Sequence, residues 1–185
     1  MKIYHVVRNR DVHEGDKIEA GSGYNFFAQR LFGKDFSVEE KDINEILLTK
    51  TIEDLSAAEK NMLKNYVYES CAIVRELVLE NYRLKNCPDL PSRLKCLFCC
   101  KTFQQAQKWV PILKRMNKSG SVKIVELEAD GQIFEADGNL MLRNTLSVFD
   151  KENIAENYWK NKMPIVEREL LFVGKAKVLK VFDTN

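Results

Sequence analysis

The sequence predicts an α+β fold in a single domain that spans residues 1–185. Two patterns of apolar residues support this prediction. In the first half, apolar residues recur at intervals of three and four after Ser56, which indicates a long helix (Leu63, Tyr66, Val67, Cys71, Val74, Leu77 and Val78). From Ser92 the period becomes two, which is typical of a strand about eight residues long (Leu94, Cys96, Phe98 and Cys100).

The first half is expected to begin with strands and continue with helices. Residues 2–8 predict a strand, and Lys17-Ile18-Glu19 predicts a short second one. A helix is expected from Tyr24 to Gly33, since glycine often follows a helix. Ser37-Val38-Glu39-Glu40 and Ser56-Ala57-Ala58-Glu59 both match a capping box, so a helix is predicted at each. Pro88 and Pro91 end the second of these. The α-rich segment is thus 23–86.

The second half is expected to supply most of the sheet. Thr102-Phe103-Gln104-Gln105 matches a capping box and predicts a helix to about Met116, in which Pro111 favours a kink or an earlier end. Two or three strands are predicted over 121–144, separated by the Ala-Asp-Gly turns at 129–131 and 136–138. A short helix over 152–160 and a last strand from Val166 to Phe182 complete the prediction.

Charge and hydropathy disfavour two classes of function. Lys and Arg total 29 against 27 for Asp and Glu, and a net charge of +2 gives no broad basic surface for nucleic acid. No segment approaches the roughly 18 uncharged apolar residues of a membrane span, and the opening MKIYHVV is too short for the apolar part of a signal peptide. The sequence therefore predicts a cytoplasmic protein that binds no membrane.

The five cysteines all lie between residues 71 and 100, which is not the distribution of a disulfide-stabilised secreted domain. Cys96 and Cys99 have metal-ligand spacing, but no second pair follows, and strand alternation sends the two to opposite faces. We therefore expect reduced, buried thiols and no metal.

Three groups of residues are candidates for a functional site, each with a structural alternative. Glu167 and Glu169 would share one face of the last strand with Cα atoms about 6.6 Å apart, ready for proton transfer or simply facing water. His5 shares a strand face with Ile3 and Val7, as a site residue or as a core histidine bonded to a backbone carbonyl. For the aromatic pair Tyr158-Trp159, the structural alternative is that one ring packs in the core and the other caps the edge of a cleft.

Three strand-opening motifs together resemble a known superfamily. Tyr4-His5-Val6-Val7 on the first strand, Pro91-Ser92-Arg93 before the middle strand and Glu167-Arg168-Glu169 before the last strand look like the signature of the ADP-ribosyltransferase-like superfamily. More narrowly, the layout YHVV, EGDKI, PSRLKCLF, NYW and LLF-GK-KVL resembles a small uncharacterised bacterial family of that superfamily, known from Bacillus-type organisms. The resemblance covers most of the chain.

The resemblance implies two small, mainly antiparallel sheets that form a split core, with NAD in the cleft between them. It implies that His5 bonds the ribose and nicotinamide amide, that Ser92 braces the site and that Arg93 meets a phosphate, to which arginine is suited. Tyr24 or Tyr158 would stack on the nicotinamide.

The resemblance also implies a catalytic carboxylate. Glu169 would stabilise the positive charge that develops on the ribose as nicotinamide leaves, and Glu167 would orient the acceptor. The implied activities are ADP-ribosyl transfer and NAD hydrolysis. The alternative, from another class, is a non-catalytic interaction module that retains the fold, with exposed aromatic residues such as Trp159 binding a partner or forming a homodimer.

Overall fold

A computed structural model describes residues 1–33, 36–116, 120–142 and 147–184. The α+β class is confirmed: five α-helices accompany antiparallel strands in the described ranges. None of these helices combines the length and apolar character that crossing a membrane requires.

The strands and helices follow the chain in a mixed order. The strands are β1 (Lys2–Arg8), β2 (Lys17–Ala20), β3 (Ser37–Val38), β4 (Lys41–Asp42), β5 (Leu97–Cys99), β6 (Val122–Asp137) and β7 (Arg168–Asp183). The helices are α1 (Phe26–Phe32), α2 (Ile43–Thr49), α3 (Ala57–Asn86), α4 (Phe103–Met116) and α5 (Val148–Lys160), with a short 3₁₀ turn over Gly138–Leu142.

One antiparallel sheet contains five strands and bends back on itself. Its order is β1-β6-β7-β2, and β5 pairs with β7 beside β2. Tyr4 of β1 and Cys100, which follows β5, exchange two backbone hydrogen bonds of 2.9 and 2.7 Å. These bonds join the two ends of the sheet, so it forms a partly closed barrel. A separate two-stranded hairpin, β3-β4, lies before α2.

The curved sheet separates two apolar clusters. The inner core fills the barrel and contains Ile3, Val7, Val125, Leu127, Leu170 and Phe172 among others. The outer core lies on the opposite face, between the sheet and helices α3 and α5, and includes Leu79, Ala136, Tyr158, Trp159 and Leu171. Trp159 Nε1 donates a hydrogen bond of 2.8 Å to the carbonyl of Leu79, which holds α5 against α3.

Several predicted elements are confirmed. The capping box at Ser56 is complete, since the Ser56 hydroxyl accepts from the Glu59 amide and the Glu59 carboxylate accepts from the Ser56 amide. Helix α1 ends at Gly33, and α3 ends before Pro88. Cys96, Cys99 and Cys100 are confirmed as buried thiols, with Cys96 in the outer core and Cys99 in the inner core, whereas Cys71 and Cys87 are partly exposed.

Two turn predictions are wrong. Ser37 begins no helix, because Glu39 and Glu40 both adopt positive φ, 50° and 66°, and turn the chain into the β3-β4 hairpin. The Ala-Asp-Gly segment at 129–131 is no turn, since β6 runs unbroken from Val122 to Asp137. The predicted strand positions 143–144 lie outside the described residues.

Gly131 explains why one strand replaces the predicted hairpin. It pairs directly with Gly174 of β7, and their φ angles are 153° and 140°. A Cβ on Gly131 would lie 2.8 Å from the Gly174 Cα, so the two backbones approach more closely than side chains allow. The glycine therefore serves close contact between long strands.

The predicted eight-residue middle strand is also shorter than expected. Residues 92–96 form a turn, in which the Ser92 carbonyl accepts hydrogen bonds from the amides of Lys95 and Cys96. Only Leu97–Cys99 pairs with β7. Leu94 and Cys96 are buried as predicted, but a turn carries them into the core.

Candidate functional site

A buried group of charged side chains lies on the outer face of the sheet. We call it the Arg93 cluster, and it contains Arg75, Glu76, Arg93, Tyr158 and Glu169. Arg93 Nε donates to Glu76 Oε2 over 2.9 Å, and Nη1 donates to the Tyr158 hydroxyl over 2.6 Å and to Glu169 Oε1. The Tyr158 hydroxyl donates to the same Glu169 oxygen over 2.6 Å. Three distant elements are thereby joined by one guanidinium.

The turn before β5 sets the direction of Arg93. The backbone carbonyls of Arg93 and Cys96 each accept a hydrogen bond of 2.8 Å from the Asn25 side-chain amide. The oxygen of the same Asn25 side chain caps α1. The Ser92 hydroxyl accepts from the Leu94 amide over 3.1 Å. Phe98 lies beneath the guanidinium, with its ring centre 5.1 Å from Arg93 Cζ. The turn is therefore fixed by side chains as well as by its backbone.

The charges of the Arg93 cluster balance one another. Arg75 Nη2 lies 3.1 Å from Glu76 Oε1, so two arginines face two glutamates. Burial opposes the charged form of Arg93, but Glu169 and Glu76 outweigh it and raise the pKa of Arg93 well above its ordinary value. Burial, assisted by Glu169, raises the pKa of Tyr158, which stays a neutral hydrogen-bond donor.

The Arg93 cluster corrects three expected ligand contacts. Arg93 is 5% exposed, and its guanidinium donates hydrogen bonds to Glu76, Tyr158 and Glu169. It is therefore not placed to bind a phosphate in bidentate fashion. Tyr158 is fully buried and cannot stack on a nicotinamide. Ser92 is buried, and its hydroxyl holds the turn rather than facing a cleft.

His5 lies on the other face of the sheet. It pairs with Val125 of the inner core and shares its strand face with Ile3 and Val7. Its Nδ1 is 2.8 Å from the carbonyl of Phe98, which requires a proton on Nδ1 and leaves Nε2 as an acceptor. The alternative prediction, in which His5 is hydrogen-bonded to a backbone carbonyl, is therefore confirmed for this hydrogen bond.

The environment keeps His5 neutral. Burial lowers the pKa of the imidazole, the hydrogen bond to Phe98 partly offsets this, and the nearby charges of Arg10 and Arg8 lower it further. No described residue forms a hydrogen bond with Nε2. The ring thus offers one unused acceptor at neutral pH.

A pocket of about 340 Å³ lies beside this imidazole. It occupies the gap between β1 and β2, which are not paired with each other in the described ranges. Its lining combines apolar side chains with charged ones (His5, Val7, Arg10, Val12, Asp16, Lys17, Ile18 and Leu97). Asp16 accepts a hydrogen bond from the His13 amide, whereas Arg10 and Lys17 form no ion pair with any described residue. We call this the barrel-edge pocket.

The structure does not bring His5 and Glu169 together. Glu169 pairs with Ala136, whose side chain lies in the outer core, while His5 pairs with Val125 in the inner core. Paired residues of antiparallel strands project to the same side of a sheet, so the imidazole and the carboxylate project to opposite sides. The expected common cleft is therefore not found.

The two remaining candidates lie outside both groups. Tyr24 is 58% exposed beside Phe32. Glu167 precedes β7 and its carboxylate lies 3.8 Å from Lys108 Nζ, whereas the Glu169 carboxylate is bonded to Arg93 and Tyr158.

Sequence reasoning missed Glu76, Arg10 and Lys17. A signal for Glu76 exists, since Glu69, Glu76 and Arg83 recur every seven residues on α3 and so share one face. Arg10 and Lys17 carry no such signal, because charged residues near a turn are ordinarily solvated.

The comparison with protein families gives one match. The family described as "Protein of unknown function (DUF2441)" matches residues 3–184. The chain belongs to this family. No curated protein matches the sequence. Because the DUF2441 description assigns no activity, the resemblance to the ADP-ribosyltransferase-like superfamily stays a prediction.

Proposed function

We propose that this DUF2441 protein binds a phosphate-bearing nucleotide of the NAD class in the barrel-edge pocket. One observation carries the proposal: a neutral imidazole, whose Nε2 bonds to no described residue, lies in a pocket together with Arg10 and Lys17, two cations that form no ion pair with any residue in the described ranges. Concave sites with apolar walls and a few convergent polar groups are the usual form of small-molecule sites.

Each group has a role in this proposal. His5 Nε2 accepts a hydrogen bond from a ligand hydroxyl or amide, and the apolar walls at Val7, Val12 and Ile18 contact a ring. Arg10 and Lys17 attract the phosphate charge. At about 340 Å³ the pocket is at the small end of ligand sites, so it holds one end of a dinucleotide while the phosphates lie at its rim.

Calorimetric titration with NAD tests the proposal. We expect measurable binding, weakened about tenfold when Arg10 and Lys17 are both changed to Gln, because one or two charge-assisted hydrogen bonds are lost. Adenosine, which lacks phosphate, should not respond to that change. Lys108→Gln is the matched control, since Lys108 is exposed and is not among the residues that line the pocket. Absence of binding at about 1 mM NAD, or equal binding by the double variant, would overturn the proposal.

Cleavage of NAD, by transfer or hydrolysis, is a second candidate. The observation that favours it is that Arg93 and Tyr158 hold the Glu169 carboxylate in one orientation while its side chain keeps 11% exposure. Because His5 is on the other face of the sheet, this activity would depend on Glu169 and not on His5. Release of nicotinamide by the wild-type protein, lost in Glu169→Gln and kept in His5→Gln, is the expected result. No release by the wild-type protein would reject cleavage and leave binding intact.

A further inference from the structure

The barrel-edge pocket contains a carboxylate that has no role in the phosphate binding proposed above. Asp16 lines the pocket together with two cations, Arg10 and Lys17. It forms no ion pair with either cation, nor with any other residue that the structure describes. Its negative charge is therefore not neutralised by a contact within the described ranges, and it is presented to a ligand in the pocket.

Backbone hydrogen bonds hold Asp16 just before β2. Gly15 turns the chain with a φ of 93°. Its amide donates to the Val178 carbonyl over 2.8 Å, and the Val178 amide donates to the Asp16 carbonyl over 2.9 Å. The His13 amide donates to Asp16 Oδ2 over 2.9 Å, and the Asp16 amide donates to the His13 carbonyl over 3.2 Å. One carboxylate oxygen is thus fixed by the turn, whereas no described residue forms a hydrogen bond with Oδ1.

Asp16 Oδ1 and His5 Nε2 are both acceptors in this pocket that no described residue occupies. Such acceptors need O–H or N–H donors from a ligand, and ionised phosphate oxygens supply none. A ribose carries two adjacent hydroxyl donors, and acidic side chains accept from a ribose 2′-hydroxyl in other dinucleotide sites. The acceptors of the pocket therefore suit a ribose, while Arg10 and Lys17 suit the phosphates beside it.

The charge of the pocket limits how much phosphate it can hold. Arg10 and Lys17 against Asp16 leave one net positive charge, since His5 is neutral. The two bridging phosphates of NAD find one cation each. A ribose 2′-phosphate, which distinguishes NADP from NAD, adds a charge of about −1.5 to −2 and replaces the hydroxyl donor. No further cation among the described lining residues is left to neutralise this charge, and Asp16 repels it.

We propose that Asp16 determines the specificity of the barrel-edge pocket for NAD over NADP. Its Oδ1 accepts a hydrogen bond from the adenosine 2′-hydroxyl of NAD, and its charge excludes the 2′-phosphate of NADP. The end of the dinucleotide that the pocket holds is then the adenosine, with its ring against the apolar walls at Val12 and Ile18. This inference rests on the nucleotide binding proposed above and adds which class of dinucleotide the site selects.

Parallel calorimetric titrations with NAD and NADP test the role of Asp16. The wild-type protein should bind NAD at least about tenfold more tightly than NADP, because a charge-assisted hydrogen bond gives way to repulsion between like charges. Asp16→Asn should weaken NAD binding and strengthen NADP binding, so that the two affinities differ by less than about threefold. The amide oxygen of asparagine still accepts from the His13 amide, so the variant should keep the turn and its circular dichroism.

Asp11→Asn is the matched control. It removes the same charge from the same loop, but the Asp11 side chain is 78% exposed and is not among those that line the pocket. This variant should keep the wild-type ratio of NAD affinity to NADP affinity.

Three results would overturn the role of Asp16 and leave nucleotide binding intact: equal binding of both dinucleotides by the wild-type protein, a ratio that Asp16→Asn leaves unchanged, or an equal change of the ratio in Asp11→Asn. If neither dinucleotide binds at about 1 mM, the binding site itself is rejected, and selection by Asp16 with it.

Discussion

Replacement of Arg93 by methionine should markedly lower the free energy of unfolding, because the Arg93 side chain holds the carboxylates of α3 and β7 together. Arg93 is 5% exposed and donates to Glu76, Tyr158 and Glu169. Methionine fills similar volume but leaves Glu169 with Tyr158 alone, while Glu76 keeps Arg75. Breaking one side of a buried ion pair costs about 3–5 kcal/mol, since the remaining charge stays desolvated.

Urea unfolding followed by circular dichroism at pH 7 measures this cost. For a chain of this length the loss corresponds to a fall in the melting temperature of roughly 6–20 °C. Arg115→Met is the matched control, because Arg115 is exposed at the end of α4 and should change stability by less than about 0.5 kcal/mol. A loss below about 1 kcal/mol for Arg93→Met would refute the view that this cluster is a buried, mutually dependent ion-pair group.

Three further changes test the packing and the electrostatics. Gly174→Ala should cost roughly 3 kcal/mol in urea unfolding, because its Cβ would lie 2.4 Å from the Asp130 carbonyl oxygen at φ 140°, whereas Gly23→Ala, with open space around it, should be nearly neutral. Burial lowers the pKa of His5 in the folded state, so as the pH falls the unfolded state takes up this proton at a higher pH than the folded state does. The stability of the wild-type protein should therefore fall as the pH drops below 6.5, and His5→Gln should lose less stability over the same range. Identical pH profiles for the two proteins would contradict this. Ser56→Ala should cost about 1 kcal/mol through loss of the capping box, and helix content on heating reports it.

The sequence predicted the elements whose signals are local. The capping boxes at Ser56 and Thr102 depend on residues three apart, and both occur in the structure. The same reasoning failed at Ser37, because Glu39 and Glu40 adopt positive φ, which a spacing rule does not encode. It failed at Gly131 because the partner that requires glycine, Gly174, is distant in sequence.

For the Arg93 cluster, the sequence predicted three of the residues but not how they are arranged. Arg93, Tyr158 and Glu169 do meet, but as an ion-pair cluster on the outer face. Strand alternation predicts which neighbours in the same strand share a face with His5, and likewise for Glu169. It does not predict how the faces of the two strands relate to each other. Which faces coincide depends on how β1, β6 and β7 pair, and that pairing is a property of the whole sheet.

We propose above that a phosphate-bearing nucleotide contacts His5 in the barrel-edge pocket. Nitrogen chemical shifts of the imidazole during titration with NAD are the measurement of choice for this contact, because Nε2 is an acceptor that no described residue occupies. We expect a saturable shift of the His5 Nε2 resonance, with the side-chain resonances of the Arg93 cluster unchanged. Saturable shifts at Tyr158 and Arg93, with His5 unaffected, would contradict it.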